Sequence, residues 1–145
     1  MLVGRHPREN DELTRSAADA DLWFHARGCP GSHTVLRVPA SGCGPAGAVF
    51  QRGLGSAARG RARGARRDAP HEDVIFAASL AAFFSKARNE GKPAVIVARA
   101  KDVSKPRGAP PGLVVVAKER VVVGRPAAVA ALALQAPGGD IAAAP

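Results

Sequence analysis

Trp23, His25, Arg27 and His33 are the residues of this chain whose types and spacing could do chemistry. They fall within Asp21-Leu22-Trp23-Phe24-His25-Ala26-Arg27-Gly28-Cys29-Pro30-Gly31-Ser32-His33, which holds the one Trp of the sequence and two of its four His. Successive side chains of an extended strand point to opposite sides. Leu22, Phe24 and Ala26 therefore share one side, and Asp21, Trp23, His25 and Arg27 the other. A flat aromatic ring, an imidazole and a guanidinium on one surface can stack on bases and hold phosphates.

Other chemistries can be written on the same stretch, and the residues argue against them. His25, Cys29, His33 and Cys43 could serve as zinc ligands, but their spacing matches no knuckle or finger. Cys29 or Ser32 beside His25 or His33 could form a nucleophile and its base. Asp21 lies at the far end of the strand, so no carboxylate is placed to orient the imidazole. Neither a phosphate-binding loop nor a dinucleotide fingerprint is present. The residues read as a non-catalytic protein with no metal and no other cofactor.

Composition points to an acidic partner. The chain has 145 residues, room for one domain and one core, and carries a net charge of +9. Nucleic acid, a ribosome or an anionic surface would suit that charge. Two cysteines, Cys29 and Cys43, make no secreted disulfide framework. No apolar run approaches the roughly 20 residues of a membrane span. Met1 to Arg5 reads as the end of a strand rather than a signal peptide.

These side chains need elements to position them. Residues 1–20 read as a short strand, a polar turn over His6 to Asp11, and a short helical or irregular stretch that Asn10-Asp11 could cap. Residues 21–38 read as a hairpin. Its second strand, His33 to Val38, places Thr34, Leu36 and Val38 beside Leu22, Phe24 and Ala26. That pairing requires a loop of roughly Gly28 to Ser32. It also brings His33 and Arg37 to the Trp23 surface.

Residues 39–69 are low complexity and read as a disordered insertion, ending in the basic run Gly60 to Arg67. Such a run could tether RNA electrostatically or be a tolerated surface loop. Residues 70–90 read as one helix, with Pro70 in its first turn and Gly91 as its C-terminal cap. Phe76, Leu80, Phe83, Phe84 and Ala87 form its apolar stripe, and Ala77, Ala78, Ala81 and Ala82 allow close approach to a sheet. Residues 94–99 read as a buried strand and 101–112 as a basic, proline-stiffened loop. Leu113 to Ala117 and Arg120 to Val123 read as two strands around Lys118-Glu119. The Ala- and Pro-rich tail over 126–145 reads as disordered or peripheral. Phosphate contacts could come from Arg5, Arg8, Arg27, Arg37, Lys101, Lys105 and Arg107.

Four blocks, in order, resemble the NFACT-R domain, the RNA-binding module of NFACT proteins of the RqcH and NEMF type. They are Val3-Gly4-Arg5 through Asn10-Asp11-Glu12-Leu13-Thr14, then Asp21 to Arg27 with Pro30-Gly31-Ser32-His33. Ala77-Ala78 through Arg88 and Val103 to Gly112 complete the set. The resemblance implies an α+β domain over residues 1–125, a mostly antiparallel sheet packed by one main helix. It also implies binding of tRNA or rRNA on the large ribosomal subunit, in quality control of stalled nascent chains. The RNA-contacting set it supports is Arg5, Asn10, Asp11, Trp23, His25, Arg27, Ser32, His33, Arg37, Lys101, Lys105 and Arg107. Expected partners include a protein supplying the other NFACT domains. The expected location is the cytoplasm, with a chloroplast or other ribosome-containing organelle as the alternative. A general nucleic-acid module, DNA included, driven by the basic surface and the Arg-rich insertion, is the rival reading.

Overall fold

The computed structural model describes residues 1–38 and 69–135. The insertion expected at 39–69 lies outside the described residues apart from Ala69, as do Cys43 and residues 136–145. In chain order the elements are β1 (Leu2–Val3), α1 (Pro7–Ser16), β2 (Leu22–Ala26), β3 (Thr34–Leu36) and α2 (His71–Phe83). Then come β4 (Ala94–Arg99), β5 (Val103–Ser104), β6 (Val115–Val116), β7 (Arg120–Val123) and α3 (Pro126–Gln135). The protein is α+β. One antiparallel sheet runs β1-β3-β2-β4-β7, and β5 and β6 form a separate antiparallel pair.

The hairpin has the expected register. Leu22 pairs with Leu36, Trp23 with Val35 and Phe24 with Thr34. Leu22 and Phe24 on β2 join Val95 and Val97 on β4, and this face buries against Ala77, Ala78, Ala81 and Ala82 of α2. Leu36, Val38, Ala69, Val74 and Val122 pack around it. The alanines make the helix contact with the sheet; of the expected Phe stripe, Phe83 and Ala87 are buried, Phe76 is 41% exposed, and Leu80 and Phe84 are only partly buried. A methyl side chain lets the helix axis approach the sheet where a phenyl ring would hold it off.

Three further expectations are corrected. The helix expected over 70–90 stops at Phe83, because the Ser85 hydroxyl accepts from the Ala87 amide (3.1 Å) and donates to the Ala82 carbonyl (2.7 Å). A tight turn over Lys86–Asn89 follows, and Glu90 rather than Gly91 is its C-terminal cap. Helix α1 begins inside the expected polar turn: Pro7 opens it and the His6 ring, not Asn10-Asp11, accepts from the Glu9 amide (3.3 Å). Residues 126–135 are helical rather than a peripheral tail. The Arg125 amide donates to Ser79 Oγ (2.9 Å), and Val129 and Pro126 are buried. The strands around Lys118-Glu119 exist but pair apart: β6 with β5, and β7 with β4.

The alanine face gives the first prediction. Ala81→Leu forces extra methylenes into a fully buried contact and should cost about 1–3 kcal/mol. Phe76→Ala should cost less than Ala81→Leu, about 1 kcal/mol, because its side chain is already 41% exposed. Urea denaturation of both variants checks the order, and equal losses would contradict it.

Candidate nucleic-acid interface

The second face of the sheet carries Trp23, His25, His33 and Val35, and helix α1 covers part of it. Asn10 and Thr14 are one helical turn apart, so they share the face of α1 that meets the sheet. Asn10 is buried, and its carboxamide bridges the hairpin backbone. It accepts from the His33 amide (3.0 Å) and donates to the Gly31 carbonyl (3.3 Å). The Thr14 hydroxyl donates to the Asn10 carbonyl (2.8 Å), accepts from Trp23 Nε1 (3.3 Å) and lies 3.1 Å from His33 Nδ1.

Three rings cluster there. Trp23 and His25 stack at 5.8 Å with 17° between their planes. His33 meets both edge-on, at 4.9 Å from Trp23 and 5.3 Å from His25. Burial pushes the His33 imidazole down to about 4, and the neighbouring His25 adds to the shift. Burial also lowers His25, partly offset by a hydrogen bond to the Gly31 backbone. Both imidazoles are therefore neutral at pH 7.

The loop after β5 forms the opposite wall. Asp11 anchors it: Oδ1 accepts from the Gly112 amide (3.0 Å) and Oδ2 from Lys105 Nζ (2.8 Å). The Lys105 hydrogen bond holds the Asp11 carboxyl below its ordinary range. Lys105 also donates to the Pro110 carbonyl (2.9 Å), so its ammonium fastens the loop internally. Gly112 has φ +84°, and a Cβ there would stand 3.3 Å from Pro7 Cβ. Pro110-Pro111-Gly112 closes in a turn with the Leu113 amide on the Pro110 carbonyl (3.1 Å).

Between these walls lies an open cleft of about 620 Å³. Trp23, His25 and His33 lie at its base with Ile96, and Pro7, Pro30, Pro110 and Pro111 are among its walls. Glu119 is the one charged lining residue. Gly31 fits because its α-carbon packs on the end of α2, where a Cβ would come within 2.6 Å of Ser85 Cβ.

The expected surface is thus corrected in depth. Trp23 is 1% exposed and His33 2%, so neither ring offers a free face for stacking. Their polar neighbours drew them inward, since Thr14 satisfies the indole N–H. His25, half-buried on the Trp23 ring, is the ring left accessible. Asn10 and Ser32 are buried; the Ser32 amide bonds to the Phe84 carbonyl (3.1 Å). Asp21, expected on the Trp23 surface, is buried and accepts from the Ala18 and Val38 amides (2.9 and 3.0 Å).

Arg5, Arg27, Arg37, Lys101 and Arg107 are exposed, but the fold spreads them. Arg27 follows the end of β2 that pairs with Val95, whereas Arg37 and Lys101 follow strands at the Leu22–Arg99 end. Arg5 is engaged with Glu9 at 3.4 Å. Thr14, Pro7 and Glu119 were missed as site residues. Thr14 was findable, standing four residues after Asn10 in the same block. No group of three or more metal-ligating side chains comes together among the described residues.

Two predictions follow from this seam. Asn10→Ala leaves the buried His33 amide unsatisfied and should cost about 1–3 kcal/mol in denaturant melts. The depressed His33 pKa makes stability full above pH 6.5, the unfolded value, and lost as pH falls toward 4. The loss is on the order of 3 kcal/mol. Wild type should therefore lose more stability than His33→Gln between pH 7 and 4; parallel pH profiles would refute it.

No family model matches the chain. It is 34% identical over 116 residues to the Rqc2 homolog RqcH of Bacillus subtilis and 35% identical over 115 residues to that of Streptococcus suis. Each match covers 79% of this chain but only 15% and 16% of those relatives' lengths. The C-terminal part of the fibronectin/fibrinogen-binding protein of Streptococcus suis matches in structure, with a TM-score of 0.64 and 32% identity. That match covers 86% of this chain and 39% of the solved one. Over the matched residues, sequence and fold agree, and the chain belongs to the RqcH/NEMF-type family.

Proposed function

We propose that this domain is a non-catalytic RNA-binding module that engages tRNA, large-subunit rRNA or both, in quality control of ribosomes carrying stalled nascent chains. The observation that carries this reading is convergence. Asn10-Asp11, the Trp23-to-His33 hairpin and the Pro110-Gly112 turn are distant in sequence yet build one cleft. These are three of the four blocks that resemble the RNA-binding module, and the fourth, in α2, backs the sheet. The similarity to RqcH proteins supports the quality-control setting.

In this reading His25 receives an unstacked base at the cleft floor, and Trp23 and His33 are positioning residues beneath it. Rigid proline walls lose little conformational entropy when a base enters. Exposed Arg5, Arg27, Arg37, Lys101 and Arg107 offer phosphate contacts. The other NFACT domains would come from a partner protein or from further sequence. No helix among the described residues is long and apolar enough to cross a membrane. A cytoplasmic site suits the proposal, as would an organelle with its own ribosomes.

The test is a binding assay over a salt series, comparing tRNA with length-matched single-stranded RNA and duplex DNA. His25→Ala should weaken RNA binding by about 5- to 150-fold, the equivalent of roughly 1–3 kcal/mol for one stacked base. Deleting residues 52–67 should leave the tRNA preference in place. Equal binding to all three ligands, lost on that deletion, would replace the proposal with a general nucleic-acid module driven by the insertion. Trp23→Ala would not discriminate, because emptying so buried a site also destabilises the fold by about 3–5 kcal/mol.

A further inference from the structure

A second concavity lies beside the cleft, at the Leu22–Arg99 end of the sheet. This groove of about 540 Å³ is lined by Arg99, Lys101, Lys118 and Arg120, with Asp19 and Asp102. Four cations face two carboxylates there, so the groove favours an anion. Lys101, Lys118 and Arg120 are exposed. The low-dielectric protein around a concavity concentrates their field more than a flat surface would.

Lys118 supplies an independent observation. Its φ of 53° makes it the one non-glycine residue with positive φ among the described residues. Glycine or asparagine occupies such a position at less steric cost. A strained residue points toward function when its side chain has something to do there. The strain falls where the chain crosses from β6 to β7, and Lys118 and Arg120 both line the groove while Glu119 between them lines the cleft.

The two concavities are neighbours on one face of the sheet. Ile96 lines the cleft and Ala98 the groove, on the same face of β4 and two residues apart, about 7 Å along the strand. We infer that the Lys101–Lys118–Arg120 groove binds the phosphodiester backbone of the RNA strand whose base enters the cleft. This rests on the RNA-binding reading above and assigns the strand a path: base over His25, backbone in the neighbouring groove. Phosphate contacts of this kind add affinity and register without reading sequence.

The experiment compares the full chain with a variant combining Lys101→Gln, Lys118→Gln and Arg120→Gln, using tRNA and length-matched single-stranded RNA over a salt series. Removing three phosphate contacts should flatten the plot of log K against log salt by about 2. Affinity for both RNAs should fall alike, and the effect of His25→Ala should persist in the variant background. Lys118→Gly serves as the second variant, since glycine accepts the local backbone. It should keep the wild-type thermal midpoint and flatten the slope by about 0.7, and it carries the test if the triple variant fails to fold. An unchanged slope and affinity, with His25 dependence intact, would overturn the groove and leave the cleft standing. Failure of the wild-type chain to bind either RNA would overturn both.

Discussion

A buried polar seam between helix α1 and the β2–β3 hairpin holds the second face of the sheet in place. The Asn10 carboxamide pairs with the hairpin backbone much as a neighbouring strand would, taking one donor and one acceptor. Four residues later the Thr14 hydroxyl satisfies the Trp23 indole and approaches the His33 ring. Without these two side chains, the indole N–H and the His33 amide would be buried with nothing to bond. Buried polar groups carry that cost in full. The seam therefore decides that Trp23 is an interior residue, and everything above it inherits that geometry.

One consequence is electrostatic. Burying two imidazoles beside each other favours their neutral forms, so the floor of the cleft carries no charge at pH 7. Positive charge lies instead at the Leu22–Arg99 end of the sheet, on Lys101, Lys118 and Arg120, which remain exposed. Under the proposed RNA-binding reading, this separates two tasks. A neutral, proline-walled floor suits a base, whereas solvated cations suit phosphates. Lys105, a natural candidate for phosphate, is instead used to close the loop onto Asp11.

The two faces of the sheet follow different packing rules. Toward α2 the contact is apolar and close, made by alanines that bring the helix down on Leu22, Phe24, Val95 and Val97. That layer fixes the sheet. It also receives the hairpin loop, through the Ser32 amide on the Phe84 carbonyl and the Lys86 amide on Pro30. The cleft face is thus supported from behind by a packed layer, and side chains placed on such a layer are held accurately.

Local pattern made much of this legible. Period-two alternation assigned Leu22, Phe24 and Ala26 to one side and fixed their partners on β3, because a one-residue slip would turn every side chain over. Alternation could not say which side was solvent, since both faces of this sheet are covered. The alanines of α2 were legible as a close-approach surface, but the Phe periodicity masked them as the core. Helix α3 had no strong amphipathic signal, and only its docking through Ser79 and Val129 makes it an element. The sequence by itself determined strands β2 to β4 and β7, the hairpin register, and the existence though not the end of the main helix. Tertiary structure decided which side chains are reachable. Depth depends on what packs above a side chain, and here that is helix α1 and the Asp11-anchored loop, joined through contacts across about a hundred residues of chain.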